Sequence, residues 1–231
     1  MLQLLMGNIM ASYSVNIIRT PKRRSFKLEI DNQVNITLRV PNATSKEDIK
    51  NFIDSNADWI EQTITKVEAK PQFIRKYEPS EQFLFLGQTY PLVYSSEANH
   101  IFKYDGERFV VSENITNIKH YFENFYKAKA RTIIKARVID IASKLGIKFN
   151  KLRITSATSR WGSCNSRGNV NFSWRLIMAP PMVIDYVIIH EFCHLFEFNH
   201  SKKFWALVER MMPDYRTQKK WLETNSIYML L

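Results

Sequence analysis

Apolar and polar residues alternate with a period of two near the start of the chain, a pattern that is typical of β-strands. The alternation extends from Ser14 to Val40 and is interrupted at Asp31-Asn32, which predicts a hairpin with its turn there. Ser45 then suits the N-cap of a helix that we expect to reach about Lys70, because its apolar residues recur on one stripe. Residues 14–116 are therefore predicted to form a β-rich module with one helix.

The pattern changes to a helical repeat near Asn117, and this repeat continues to Leu145. Gly146 follows it, and glycine most easily adopts the left-handed conformation that often ends a helix. Strands are predicted next, over residues 152–157 and 169–176. Pro181 can then begin a helix that extends to Phe198, because a proline in the first turn loses no hydrogen bond.

These patterns predict two folded regions. We expect the β-rich module to be followed by a second domain over residues 117–231, and residues 1–13 to be a disordered start. The two together predict an α+β protein.

The helix after Pro181 is apolar on almost every face, so we expect protein to surround it. His190 and His194 are four residues apart, so their imidazoles point to one side with an offset of about 40°. One zinc ion can bind both rings at this spacing. Glu191 lies about 60° from His194 around the helix, which places it beside the metal as a general base and not as a ligand.

A different interpretation is that these side chains are hydrogen-bonded core residues, because a pattern of three fixed positions also occurs by chance. Burying an unpaired carboxylate with two imidazoles would cost on the order of several kcal/mol, whereas a divalent cation makes the three groups favourable together. We therefore favour a metal site.

A catalytic zinc normally has three protein ligands and one open position, so a third ligand is needed. His200 is the candidate, but it can reach the metal only if the helix ends before it. We expect Asn199 to adopt the left-handed conformation that turns the chain back, and Ser201 to cap the next helix. The histidine spacing equals that of metzincins, although Glu197 replaces their turn glycine; Glu197 is also the alternative third ligand.

The last third of the chain resembles the YgjP-like metallopeptidase family of predicted metal-dependent hydrolases, and the first module resembles it in outline. The matching segments are Arg160-Trp161-Gly162-Ser163-Cys164, Asn169 to Trp174, His190-Glu191-Phe192-Cys193-His194, Asn199-His200-Ser201-Lys202, and Met212-Pro213-Asp214-Tyr215. The resemblance implies a zincin-like catalytic domain, related to SprT-like and Wss-type proteases, with an active-site helix and a small antiparallel sheet. It also implies His200 as the third ligand, and it leaves the substrate open.

Substrate contacts are expected around this zinc site. In zincins an antiparallel edge strand pairs with the extended substrate, and the strand Asn169 to Trp174, which contains Asn171, is the candidate; a core hairpin is the alternative. Arg160 or Tyr215 could stabilise the oxyanion of a tetrahedral intermediate. We expect zinc to polarise the scissile carbonyl and acidify a water, while Glu191 accepts its proton and passes it to the leaving amine.

Composition adds a second hypothesis about partners. The 231 residues include 33 Lys and Arg against 22 Asp and Glu, which gives a net charge of +11. Such a charge favours contact with anions, so the chain could instead be a nucleic-acid-associated zinc protein with weak, absent or DNA-stimulated proteolysis. The basic residues of the helix 117–145 fall on several faces, however, as on an ordinary solvated helix.

Two cysteines are too few for a disulfide framework, so a reducing cytoplasm is the expected compartment. No apolar run reaches the length of about 20 residues that a membrane helix needs. The phosphate-binding and dinucleotide-binding glycine motifs are absent from the sequence. We therefore predict a cytoplasmic metallopeptidase with one zinc ion and a polypeptide substrate.

Overall fold

The structure is a computed structural model that describes residues 13–21, 23–31, 34–69, 73–96 and 100–231. Residue contacts divide the chain between Gln72 and Phe73 into two units, each with an apolar core of its own. The expected disordered start lies outside the described residues except for Tyr13, and so does Lys70, the expected end of the first helix.

The first unit contains three strands and two helices: β1 (Val15–Thr20), β2 (Lys27–Ile30), β3 (Ile36–Pro41), α1 (Lys46–Ser55) and α2 (Ala57–Glu68). The hairpin is confirmed, because β2 and β3 pair antiparallel, and β1 joins the other side of β3 in parallel. Alternate residues of β3 are buried, as the period of two predicts.

One helix was expected between Ser45 and Lys70, but the structure has a break at Asn56. Ser45 is the N-cap as predicted, since its side chain accepts the N–H of Asp48 at 3.0 Å. At the break, the Asn56 side chain donates to the carbonyl of Phe52 at 2.7 Å. Asparagine side chains compete in this way with helical hydrogen bonds, and the apolar stripe alone does not reveal it.

The second unit contains the predicted site. Its elements are β4 (Gln82–Phe85), β5 (Gln88–Ser95), β6 (Phe102–Tyr104), β7 (Phe109–Ser112), α3 (Ile118–Leu145), β8 (Lys151–Thr155), β9 (Gly162–Cys164), β10 (Asn169–Ser173), α4 (Pro181–Cys193), α5 (Lys202–Met211) and α6 (Tyr215–Asn225), with 3-10 helices at Trp174–Met178 and Ser226–Met229. Gly146 ends α3 in the left-handed conformation and Pro181 begins α4, both as predicted.

The boundary between the two regions differs from the prediction near residue 116. The strands β4–β7 belong to the second unit because they share its core with α3. Phe83 of β4 stacks on Phe122 of α3 with ring centroids 4.0 Å apart, and Tyr126 donates to the carbonyl of Leu84 at 2.8 Å. The buried face of α3 is thus covered partly by these strands.

The α+β class is confirmed, but the small sheet beside α4 is mixed and not purely antiparallel. Its strand order is β8-β10-β9, with β10 parallel to β8 and antiparallel to β9. The chain can return to form the parallel pair because residues 156–168 connect the strands and include β9. β10 ends at Ser173, earlier than the expected Leu176, where the chain enters a 3-10 helix.

Arg75 joins distant parts of the second unit. Its buried guanidinium donates to the carbonyls of Gln82 and Tyr228 at 2.6 and 2.8 Å, and forms an ion pair with Glu81 at 3.3 Å. These contacts connect the start of β4 with the 3-10 helix that follows α6.

Within the described parts of the chain, no helix is both long and apolar enough to cross a bilayer.

Candidate metal centre and active site

α4 positions the first three predicted residues. It is buried on most of its surface, and His190 and His194 lie at its end with ring centroids 5.1 Å apart. Glu191 is 6% exposed, and its carboxyl group lies against Gly162 of β9. The i, i+4 spacing therefore gives the expected geometry: two imidazoles together and a carboxylate beside them.

His200 reaches this pair because α4 ends at Cys193, five residues before the predicted end at Phe198. The next residues form a turn in which the N–H of Glu197 donates to the carbonyl of Cys193 at 2.9 Å. The His200 ring then lies 5.0 Å from His190 and 4.7 Å from His194.

The turn differs from the predicted one in a particular residue. Asn199 was expected to be left-handed, but it is not among the described residues with positive φ. Its side-chain oxygen instead accepts the N–H of Ser201 at 3.2 Å, so a side-chain turn redirects the chain. Ser201 caps α5 as predicted, by accepting the N–H of Phe204 at 3.4 Å.

The three histidines form a set of nitrogen donors that fits a metal ion. One ring nitrogen from each lies within 4.8 Å of the others, and the Nε2 atoms of His190 and His200 are 3.0 Å apart. Burial lowers the pKa of His190 to about 3, with a further contribution from the neighbouring histidines, so this ring is neutral as a metal ligand must be. Burial also lowers the pKa of His200.

The second nitrogen of each ring differs in its contacts. His190 Nδ1 is buried and has no hydrogen-bond partner in the described part of the chain, while its Nε2 faces His200. His194 Nδ1 lies 3.0 Å from the backbone carbonyl of Glu197, which can only accept, so the proton is on Nδ1 and the lone pair on Nε2. Glu197 thus contributes its backbone here, and its carboxylate is not part of the histidine cluster.

An aromatic wall holds the three rings and was not recognised in the sequence. Phe204 is fully buried, with its ring 4.9, 4.5 and 4.7 Å from those of His190, His194 and His200. The sequence could have indicated that Phe204 lies near the histidines, because it is in the first turn of α5, four residues after the third histidine.

Tyr215 belongs to the packing behind this wall. Its buried ring stacks on Trp205 at 5.5 Å and on Tyr186 at 6.3 Å, and these two rings in turn contact His200 and His190. The structure therefore places Tyr215 one layer behind the histidines, which does not support the predicted contact with an oxyanion.

Glu191 lies against the edge strand β9. Burial raises the pKa of Glu191 to about 7, while the charge of Arg160 and the N–H of Cys164 act in the opposite direction. A Cβ atom at Gly162 would lie 2.6 Å from Glu191 Cγ, so only glycine permits this approach. Arg160, predicted as a substrate contact, is thus near the carboxylate.

The strand predicted to pair with substrate is not at an edge. β10 has hydrogen-bonded neighbours on both sides, and the free edge next to α4 belongs to β9. Sequence alternation predicts that a strand exists but does not give its order in the sheet. Asn171 still lies near the site, where its amide donates to the hydroxyl of Ser163 at 3.2 Å.

A polar cavity of about 260 Å³ borders this sheet. Gly162 is part of its lining, and its polar side chains are Thr155, Arg160, Ser163, Asn171 and Ser173. Because Gly162 also abuts Glu191, the cavity adjoins the carboxylate.

A family model for the YgjP-like metallopeptidase domain matches residues 24–225. Two crystal structures are similar in part: the metallopeptidase zymogen abylysin of Pyrococcus abyssi, with 21% identity and a TM-score of 0.36 over 39% of this chain and 92% of that one, and the metallopeptidase zymogen jannalysin of Methanocaldococcus jannaschii, with 17% identity and a TM-score of 0.33 over 39% and 94%. No curated protein gives a significant match. The family match spans most of the sequence: the chain belongs to the YgjP-like metallopeptidase family and is a metal-dependent peptidase.

Proposed function

We propose that this peptidase uses one zinc ion held by His190, His194 and His200, with Glu191 as the general base. The observation that supports this most directly is the convergence of three imidazole nitrogens beside a buried carboxylate. Three imidazole nitrogen ligands leave one position open on a tetrahedral zinc, which distinguishes a catalytic site from a closed structural one. When bound there, zinc would supply Lewis acidity to the scissile carbonyl and to a water.

The residues of the chain would then perform the proton transfers. A Glu191 carboxylate oxygen accepts a proton from the attacking water and donates it to the leaving amine. Burial raises the pKa of Glu191 to about 7, which suits both roles near neutral pH. The backbone N–H of Cys164 interacts favourably with the ionised form of the same carboxylate and lowers its pKa. No covalent intermediate with the protein is needed.

The test combines metal content with cleavage of an unfolded protein. Wild type should contain about one zinc per chain, Glu191→Gln should keep the zinc but lose about 100-fold or more of the cleavage rate, and His200→Ala should lose the zinc. Exposed residues of the same types provide controls, Glu61→Gln and His120→Ala, and both should behave as wild type. Normal zinc binding by His200→Ala would contradict the ligand assignment.

A nucleic-acid-associated role is the second candidate, because the chain has a net charge of +11. On α3, however, Lys127, Arg137 and Lys144 are already in ion pairs with carboxylates, which weakens the case for a phosphate-binding stripe there. Adding DNA to the same assay tests this role. Tight, salt-dependent binding of DNA without cleavage of protein in any condition would favour it over peptidase action.

The cytoplasm remains the predicted compartment. Both cysteines are free thiols, which agrees with a reducing environment.

A further inference from the structure

The sheet beside the candidate site is formed by a segment with no acidic residue. Residues 141–184 contain no Asp or Glu. Their basic residues are Lys144, Lys148, Lys151, Arg153, Arg160, Arg167 and Arg175. The segment includes all three strands of the sheet, so basic residues predominate there, and Glu191 of α4 is the carboxylate that lies against it.

Hydrogen bonds hold the residues around the cavity at this sheet in place. Ser173 is 1% exposed, its hydroxyl donates to the carbonyl of Ala157 at 2.7 Å, and its N–H donates to the carbonyl of Trp161 at 2.8 Å. Arg175 donates to the carbonyl of Ser156 at 3.2 Å. These bonds fix both ends of the loop that contains Arg160.

Two donors in this cavity have no acceptor within the described structure. Arg160 is exposed, and although its charge acts on Glu191, it has neither an ion-pair nor a hydrogen-bond partner there. The Ser163 hydroxyl accepts from the Asn171 amide but donates to no described group, so its hydrogen remains available. A guanidinium and a hydroxyl together match a carboxylate, which only accepts.

The size and position of the cavity indicate which kind of molecule carries the carboxylate that binds there. Its volume of about 260 Å³ lies below the range of about 300–1,000 Å³ that is typical of sites for whole small molecules. Because Gly162 lines the cavity and also touches Glu191, a side chain in the cavity belongs to a residue near the bond being cleaved.

We propose that this cavity is a specificity subsite for an acidic side chain of the polypeptide substrate, and that Arg160 is its specificity-determining residue. The inference rests on the proposed peptidase function. The Arg160 guanidinium pairs with the substrate carboxylate, and the Ser163 hydroxyl, oriented by Asn171, donates a hydrogen bond to it. A glutamine in the same position has no charge, so it should be the poorer substrate.

The test compares pairs of fluorogenic peptides that differ by Glu against Gln, with the substitution moved through each position around the cleaved bond. For wild type, one position should prefer Glu by about 10- to 100-fold in kcat/KM, as charge-assisted hydrogen bonds predict. Arg160→Ala should abolish the preference, and Arg160→Glu should replace it with a preference for Lys at the same position. Arg167→Ala, at an exposed turn of the same sheet, is the matched control and should keep the Glu preference.

The proposed function and the subsite can fail separately. Cleavage with no Glu preference at any position, or a preference that survives in Arg160→Ala, would overturn the subsite and leave the peptidase intact. If no peptide is cleaved, binding to Glu191→Gln decides: a Glu peptide should bind about 10-fold more tightly than its Gln counterpart, and Arg160→Ala should remove the difference. Equal binding of both peptides, or displacement of the Glu peptide by much tighter single-stranded DNA, would overturn the proposal.

Discussion

The two sides of the candidate site differ in whether their buried polar atoms have hydrogen-bond partners. On the histidine side (His190, His194, His200 and Phe204), the rings pack against aromatic carbon, and His190 Nδ1 has no described partner. On the sheet side, which is the lining of the polar cavity, Ser173 and Asn171 donate to neighbouring oxygens. A metal ion on the converging nitrogens would complete the first side, whereas the second is largely complete as a scaffold.

Removal of the metal should give the largest difference between the two sides. A metal at about 1,000 times its dissociation constant stabilises the folded state by about 4 kcal/mol, so a chelator should lower the free energy of unfolding by that amount. Tryptophan fluorescence in urea can measure this, because of the five tryptophans only Trp59 is in the first unit. His194→Ala should not respond to the chelator, while Asn171→Ala should respond as wild type. If the chelator changed the free energy of unfolding of both variants equally, the two sides of the site would not differ in their dependence on the metal.

Gly162→Ala should disturb the contact between β9 and Glu191 of α4. The new Cβ would overlap Glu191 Cγ at 2.6 Å, so the carboxylate must move, and a misplacement of about 1 Å can reduce the rate about 100-fold. Overpacking should also cost about 1–3 kcal/mol of stability. Cleavage assays with zinc analysis check this, and zinc content should stay unchanged.

The control for that change is Gly106→Ala, where, among the described residues other than its chain neighbours, no atom lies within 4 Å of the added Cβ. Its positive φ of 105° makes some loss of stability expected, but cleavage should not change. Full activity of Gly162→Ala would show that the Glu191 position is not fixed by the strand.

Phe204→Leu should weaken metal binding about 10-fold, because groups that orient metal ligands contribute about 10- to 100-fold to affinity. Leucine keeps much of the apolar volume but loses ring contacts with all three histidines. Val208→Ala, a buried change on the same helix, should reduce stability without a comparable change in zinc affinity. Competition with a fluorescent zinc chelator measures the zinc affinity of both variants. Equal affinities would show that the aromatic wall contributes to stability but not to metal binding.

Tyr215→Phe should have the smallest effect. The ring stack with Trp205 and Tyr186 is kept, so kcat should remain within about twofold of wild type. A direct donor to an oxyanion would instead lose about 100- to 1,000-fold. A loss of that size in a steady-state assay would restore the role expected from the sequence.

Local geometry explains which parts of the site could be predicted. His190, Glu191 and His194 lie on one helix, whose period fixes their directions before any tertiary contact is known. The need for a turn before His200 was also predictable, because a continuous helix would direct it away from the pair. The form of the turn was not, since Asn199 can redirect the chain through its side chain as well as through its backbone.

Long-range contacts account for most of the differences. The alternation in β10 predicts a strand but not its central position between β8 and β9. In the same way, the apolar residues of β4–β7 would look alike whether they formed a separate module or packed on α3, as Phe83 does. The α+β class, the hairpin and the helix caps were predictable because residues close in sequence determine them.

The contacts of Arg75 have a consequence for synthesis of the chain. The guanidinium binds Gln82 early in the second unit and Tyr228 far beyond it, a separation of 153 residues from Arg75. At a translation rate of about 5–20 residues per second, roughly 7–30 s pass between the emergence of the two partners. During this interval the residues of β4–β7 have been synthesised, but the Tyr228 carbonyl that accepts from Arg75 is missing. We therefore expect the peptidase unit to become protease-resistant only after Tyr228 has left the exit tunnel.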